Sequence, residues 1–391
     1  MSAVWVTGAG AISAAGPDAA SLGALLERGG AAVGDVSGLG VRAGEAPAPG
    51  HARETRRVDR SAALFYAAGR EAWTSAGLDD TTVDAERVAI IEGSSLGPTA
   101  DLLARHRERL EGGGPVGPSA LIRFMTGAGG SLLAQHVGAH GAVLHLSAGS
   151  VSATCALGEA FQRIRSGAAD VVLAGGGECP LHPEIVAIFA AAGILAPDGW
   201  CRPFAEDRHG TVLGEGAGAL VLESEAHARA RGAEPRAILT GFGLTCEAQS
   251  MIAPASAGDG VVRSIRQALG GGSADGIGWI KAHGTGTMPN DLAECRGLAA
   301  VFGGRLAEVP ITSLKPALGH CLGASGAVEA VAALLALEGG YVPATVGARS
   351  VDPALPSCRV AHAVERRAAR QVLMVSESFG GRCAALIMER P

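Results

Sequence analysis

The chain has 391 residues, of which 48% are hydrophobic and 18% charged, with a formal net charge of −6. That length can bury a large core and suggests two or three domain-sized units, and the composition excludes a disordered chain. Few aromatics and a negative balance exclude a general nucleic-acid-binding surface.

In chain order, VWVTGAG (4–10) predicts a strand running into a glycine turn. The opening MSAVWVTGAGAIS has no basic segment followed by a long apolar run, so no secretion signal is expected. TGAGAIS lacks the full G-x-G-x-x-G and an acidic ribose partner, so its glycines read as structural and not as a dinucleotide loop. SAALFYAAGREAWTSAG (61–77) has helical periodicity ending at a glycine, and RVAIIEGSS (87–95) reads as a buried strand. Arg105, Arg107 and Arg109 in LARHRERL read as a solvated helix face, with a dock for an acidic partner as the second reading. VSATCALGEAFQRIRSGAA (151–169) predicts a helix and DVVLAGGGE (170–178) a strand. IVAIFAAAGILA (185–196) is too short to cross a bilayer, so no membrane association is expected.

The second half echoes the first. AILTGFG (237–243) repeats the strand-Thr-Gly-x-Gly form, IGWIKAHGTG (277–286) is a strand ending in a loop, and GASGAVEAVAALLALEGG (323–340) is a helix. The order of elements predicts two related α/β halves, 1–235 and 236–391, meeting near GAEPRA and packed as one body. The eight cysteines are scattered without a C-x-x-C pair, so neither a disulfide framework nor a metal site is indicated, and a reduced, cytoplasmic protein is expected. Only two lysines occur, Lys281 and Lys315, and both stand beside histidines.

Four segments carry chemistry. KAHGTGTMPNDLAE (281–294) places His283 at a strand end opening a Gly/Thr loop. ITSLKPALGHCLGASGAVEA (311–330) sets Lys315 and His320 before a Gly/Ala-rich helix. LSAGSVSATCALGEAF (146–161) is a strand turning into a helix, and SESFGGRCAAL (376–386) holds a glycine turn near the end. Each alone has a structural explanation; the four together do not.

With RPFAEDRHGTVLGEGAGALVLE (202–223) and ADVVLAGGGE (169–178), these blocks make the whole chain resemble the β-ketoacyl carrier-protein synthases, the condensing enzymes of fatty-acid and polyketide synthesis. The resemblance implies the thiolase fold: two pseudo-symmetric α/β halves in a five-layered α-β-α-β-α sandwich. It implies a dimer, either of like chains or with a ketosynthase-type subunit, and an acyl carrier protein as partner. Its phosphopantetheine arm would carry the substrate, with no cofactor or metal of the protein's own. Carried over by motif, His283 and His320 promote malonyl decarboxylation and stabilise the enolate, while Lys315 tunes the charge around His320. Asp291 and Glu294 fix the loop bearing His283. The N–H groups of residue 150 and Phe379 form the oxyanion hole on the Gly380–Gly381 turn, and Phe379 gates the acyl pocket, which Phe124 and Met125 line unless they serve core packing.

The resemblance breaks at the nucleophile. Ala148-Gly149-Ser150 replaces threonine-alanine-cysteine, so Ser150 stands where a cysteine is expected, and FGGRC replaces the usual threonine-asparagine ending. Cys155 is the nearest thiol but falls inside the predicted helix. A helix N-terminus can ionise a thiol but not a hydroxyl, so Ser150 needs a histidine as general base. The oxygen ester it would form is a poorer electrophile toward carbon than a thioester. Four readings follow. Ser150 accepts and transfers acyl groups; the protein only decarboxylates malonyl carrier protein; it is a chain-length-factor-like partner subunit; or the serine was introduced into an ordinary condensing enzyme. Gly149 and ECPLHP (178–183) lean toward the partner subunit, and the retained His283, His320 and Lys315 lean against it.

Overall fold

The computed structural model describes residues 3–78, 83–113, 116–347 and 350–391. Its main sheet has eleven strands. They are β1 (Val4–Ser13), β2 (Val88–Gly93), β3 (Val143–Leu146), β4 (Val171–Glu178), β5 (Gly216–Ser224), β6 (Ala237–Cys246), β7 (Ile277–Lys281), β8 (Pro310–Thr312), β9 (Arg359–Val360), β10 (Gln371–Ser378) and β11 (Arg382–Glu389). Across the sheet they run β9-β8-β7-β10-β11-β6-β1-β5-β4-β2-β3.

The first half is thus ordered β1-β5-β4-β2-β3, and the second half repeats it as β6-β11-β10-β7-β8, with β9 added at the rim. Pairing directions repeat as well. β1–β5 and β5–β4 are antiparallel, and β4–β2 and β2–β3 parallel. β6–β11 and β11–β10 are antiparallel, and β10–β7 and β7–β8 parallel. The leading strands of the two halves meet at one corner, antiparallel, where Val4, Trp5 and Val6 face Leu239, Ile238 and Ala237. The echo read from sequence is therefore a repeat of topology.

The helices on the faces of the sheet include α1 (Arg60–Ser75), α2 (Ala128–Val137), α3 (Ser152–Arg165), α4 (Asp259–Leu269), α5 (Met288–Phe302) and α6 (Ser325–Gly339). Alternate side chains of a strand face opposite ways, and here both faces are buried. Ile90, Val171 and Leu173 pack outward on Leu64 and Phe65 of α1 and Leu133 of α2. Ile91, Val172 and Ala174 pack inward with Leu157 and Phe161 of α3 and Val331 and Leu334 of α6. Val372 and Met374 of β10 join that same inner cluster, while Leu373 and Val375 face Ile265 of α4 and Leu298 of α5. The result is helix, sheet, helix, sheet, helix: the five layers of the thiolase fold. Leu322–Gly339, with a mean hydropathy of 1.4, is long and apolar enough to cross a bilayer but lies 83% buried in the middle layer. A helix apolar all round is what a central layer requires.

One local expectation fails. VWVTGAG does not end in a turn; β1 continues to Ser13. Its glycines serve close packing instead: a Cβ at Gly8 would lie 2.1 Å from the carbonyl oxygen of Ala72 on α1. Nearby, buried Glu223 on β5 accepts from Thr7, from Arg231 Nε at 2.9 Å, and pairs with His227 Nδ1 at 2.7 Å. Burial alone would raise its carboxyl, but these partners hold it down at about 2.

Candidate active site

The site forms where three strand ends of the two halves converge on the N-terminus of α3. Ser150 stands in the turn between β3 and α3 and is half-buried. Ser152 builds that turn: its Oγ donates to the Gly149 carbonyl at 2.6 Å and accepts the Ala148 N–H at 2.8 Å. Gly149 takes a left-handed φ of 67°, which a side chain would strain. Ser150 Oγ lies 3.1 Å from His320 Nε2, and His320 Nδ1 lies 2.9 Å from Ser325 Oγ at the start of α6.

His320 is fixed through its backbone. Its N–H donates to the Val212 carbonyl at 2.7 Å, and its carbonyl accepts from Gly214 N at 3.0 Å. The block RHGTVLGEG thus positions a histidine far away in sequence. His283 follows β7, and its ring meets that of His320 edge-on, with centroids 5.4 Å apart. Glu294 on α5 accepts the His283 N–H at 2.6 Å and the Gly284 N–H at 2.8 Å. Asp291, one turn earlier, accepts from Gly286 N at 3.2 Å and Phe204 N at 2.8 Å. Burial raises both acids, Asp291 to about 6 and Glu294 to about 7.

The two lysines share one acid. Glu329 on α6 takes Lys281 Nζ on one oxygen and Lys315 Nζ, at 3.1 Å, on the other. Lys281 also donates to the Val375 carbonyl at 2.8 Å, and Lys315 to the His283 carbonyl. Lys315 Nζ is 3.4 Å from His283 Nδ1. Lys315 thus touches His283 and Glu329 directly and acts on His320 through its charge. Buried ions must be paired, and a compact ammonium on a long stem fits this slot better than a guanidinium fork. In a chain whose other basic residues are arginine, the two lysines have a structural reason.

Both histidines are buried, and their basicity falls well below the ordinary imidazole range. Burial is the largest cause for each, followed by the Lys315 ammonium; His283 also feels His320 and Lys281, and His320 feels Lys281. Both rings are therefore neutral at pH 7 and able to accept a proton.

The expected oxyanion pair looks different in place. The Ser150 N–H donates to Ser378 Oγ at 2.9 Å, so that donor is already engaged. Phe379 follows on the Gly380–Gly381 turn, where the glycines have φ of 80° and 70°, and is 46% exposed. The unusual FGGRC ending supports the turn by its own means: Arg382 Nη1 donates to the Phe379 carbonyl at 3.2 Å, and Gly380 N to Met251 O at 2.8 Å. Cys155 lies on α3 against Val151 and Ala384, and burial lifts its thiol to about 11, which rules against a thiolate nucleophile. Phe124 and Met125 are 41% and 46% exposed, so they are not core residues of this chain. Arg105 pairs with Asp101 at 2.8 Å and Arg107 with Glu184 at 2.7 Å, as a solvated helix face does.

Sequence reasoning missed Glu329, Ser325 and Ser378. Glu329 had a signal, being an acid in the apolar run AVEAVAALLAL that must be paired if buried. Ser325 and Ser378 had none, since a serine carries no spacing signature.

The β-ketoacyl synthase N-terminal domain model matches residues 1–228 and the β-ketoacyl synthase C-terminal domain model residues 236–349. The chain is 36% identical over 361 residues to a nodulation protein E of Rhizobium sp. (strain N33), covering 90% of each chain. Among solved structures it is similar to the ishigamide ketosynthase/chain length factor, with a TM-score of 0.92 and 32% identity over 100% of this chain and 99% of that one. It is also similar to a type II polyketide synthase ketosynthase in complex with its acyl carrier protein and bound to a hexaketide (TM-score 0.90, 26% identity, 100% of both chains covered). From the first strand through both histidine loops, this chain belongs to the β-ketoacyl synthase family.

Proposed function

We propose that the protein is an acyltransferase acting on carrier-protein thioesters in polyketide or fatty-acid-type biosynthesis, with Ser150 as the acyl acceptor. The carrying observation is the 3.1 Å contact between Ser150 Oγ and a neutral His320. A serine hydroxyl needs a base within hydrogen-bond reach, and the base needs a third group to orient it, which Ser325 supplies. Ser150 Oγ attacks the thioester carbonyl, its proton passes to His320 Nε2, the C–S bond breaks, and His320 returns the proton to the departing thiolate. With Lys315 against its Nδ1, His283 keeps Nε2 to donate to a carbonyl oxygen. The Lys315 ammonium beside His283 favours negative charge developing on the carbonyl oxygen that His283 meets.

The same groups support a second reading. His283, His320 and Lys315 are all in place, which suits decarboxylation of a malonyl carrier protein to its enolate. The oxygen ester on Ser150 resists attack by that enolate more than a thioester does, so carbon–carbon condensation is the slower outcome. We further propose a dimer, with a like chain or with a ketosynthase-type subunit. β3 is one of the two edge strands of the sheet, Val143 on it is 40% exposed, and Leu121, Phe124 and Met125 expose apolar surface on the same half.

The deciding experiment is intact-mass and peptide-level mass spectrometry after incubation with acyl- and malonyl-carrier proteins. An acyl adduct on the peptide bearing Ser150 is the expected result. Conversion of malonyl to acetyl without an adduct transfers the assignment to decarboxylation, and no change in either carrier removes both.

A further inference from the structure

Ser378, the last residue of β10, places its Oγ 2.9 Å from Ser150 N, a contact with no part in the transfer step as written. Gly149 makes the room for it, because a Cβ at Gly149 would lie 2.1 Å from that oxygen. A side chain at position 149 excludes the Ser378 hydroxyl from the place it takes here, so Gly149 and Ser378 form one feature despite their separation in sequence. This accounts for the glycine that departs from the expected motif.

When a nucleophile attacks a carbonyl, the new oxyanion forms beside the nucleophile's own backbone N–H. Such donors act when they lie about 2.7–3.1 Å from the position that oxyanion takes. Ser378 Oγ occupies that position relative to Ser150 N–H, and two oxygens cannot share it. A hydroxyl on a half-buried strand end can rotate about one bond and vacate the donor.

We propose that Ser378 is a plug on the anion-binding N–H of Ser150, a positioning residue that must rotate away before acyl transfer. The inference rests on the reading of Ser150 as an acyl acceptor. In the transfer step the Ser150 Oγ–C bond forms and the C–S bond breaks. The serine proton moves through His320 to the thiolate, and the Ser150 N–H exchanges Ser378 Oγ for the substrate oxyanion. Breaking this one half-buried hydrogen bond slows that step roughly five- to tenfold.

The test compares wild type, Ser378→Ala and Ser378→Thr with two probes: a fluorophosphonate and an acyl carrier protein. The fluorophosphonate forms a P–O bond to Ser150 and releases fluoride, its oxygen entering the same anion position without any carrier. Ser378→Ala should label roughly five- to tenfold faster than wild type with the fluorophosphonate. Ser378→Thr, which keeps the hydroxyl, should match wild type. Equal or slower labelling of the alanine variant at unchanged melting temperature overturns the plug, as does a threonine variant as fast as alanine. Should the alanine variant fail to fold, Ser378→Gly takes its place with the same expectation. Faster fluorophosphonate labelling with no transfer from the carrier protein in any variant keeps the plug and overturns the carrier-protein reading instead.

Discussion

His320 reaches Ser150 from a loop that is itself held by residues 212–214, and burial keeps its ring neutral. His320→Ala leaves Ser150 without a base, so the rate of Ser150 acylation should fall roughly 100-fold or more in rapid-quench mass spectrometry. An unchanged rate would remove His320 from the mechanism. Because its basicity lies well below the ordinary 6.5, the proton-accepting form persists in mild acid. The acylation rate of wild type should therefore stay flat from about pH 8 down to about pH 6.5, with its acid limb lower still. The same depressed basicity has a stability consequence. A buried histidine that stays neutral binds fewer protons folded than unfolded, so its penalty is absent above about pH 6.5 and grows as the pH falls below it. His283 behaves alike, so chemical denaturation between about pH 7 and pH 5 should show stability falling with acid, less steeply in His320→Ala.

Among the elements, the most exposed to test is the junction of β1, β5 and the short helix Glu225–Ala230, stapled by Glu223. Its carboxyl falls from an ordinary 4.5 to about 2. A depressed carboxylate stabilises the fold above its unfolded value and loses that contribution as the pH falls through its folded one. A carboxyl held that far down contributes about 3 kcal/mol at neutral pH. Glu223→Gln should therefore lower unfolding free energy by about that amount at pH 7, measured in urea, and the gap to wild type should narrow as pH drops from 4.5 toward about 2. A gap that is constant with pH would mean that packing, not charge, is what the substitution removes. This element was legible only as a block of the resemblance, 202–223, and the acid's partners came from Thr7 on another strand and Arg231 beyond the helix. Likewise the glycines of β1 read as a turn, because nothing local reveals that α1 passes within 2.1 Å of where a Cβ at Gly8 would be.

For the molecule as a whole, the exposed edge β3 and the apolar side chains near it bear on assembly. Light scattering of the purified 39.0 kDa chain should give about twice that mass, either alone or only after a cysteine-bearing ketosynthase subunit is added. A chain that remains monomeric under both conditions would remove the dimer from the proposal. The two arms also separate a self-sufficient enzyme from one that works beside a partner.

What is local or repeated in this protein could be read in one dimension. Strand and helix periodicities located individual elements, the echo of elements predicted the two halves, and the resemblance carried by the motif blocks implied the layers and singled out Ser150, His283, Lys315 and His320. What depends on approach between distant segments emerged only once the chain was folded. Folding placed Lys315 against His283, set Glu329 between the two lysines, gave His320 its orienting Ser325, and laid the Ser378 hydroxyl on the Ser150 N–H. Hydrogen bonds and desolvation act through space over a few ångströms, and segments hundreds of residues apart meet here only because the two halves of the sheet close on one central pair of helices.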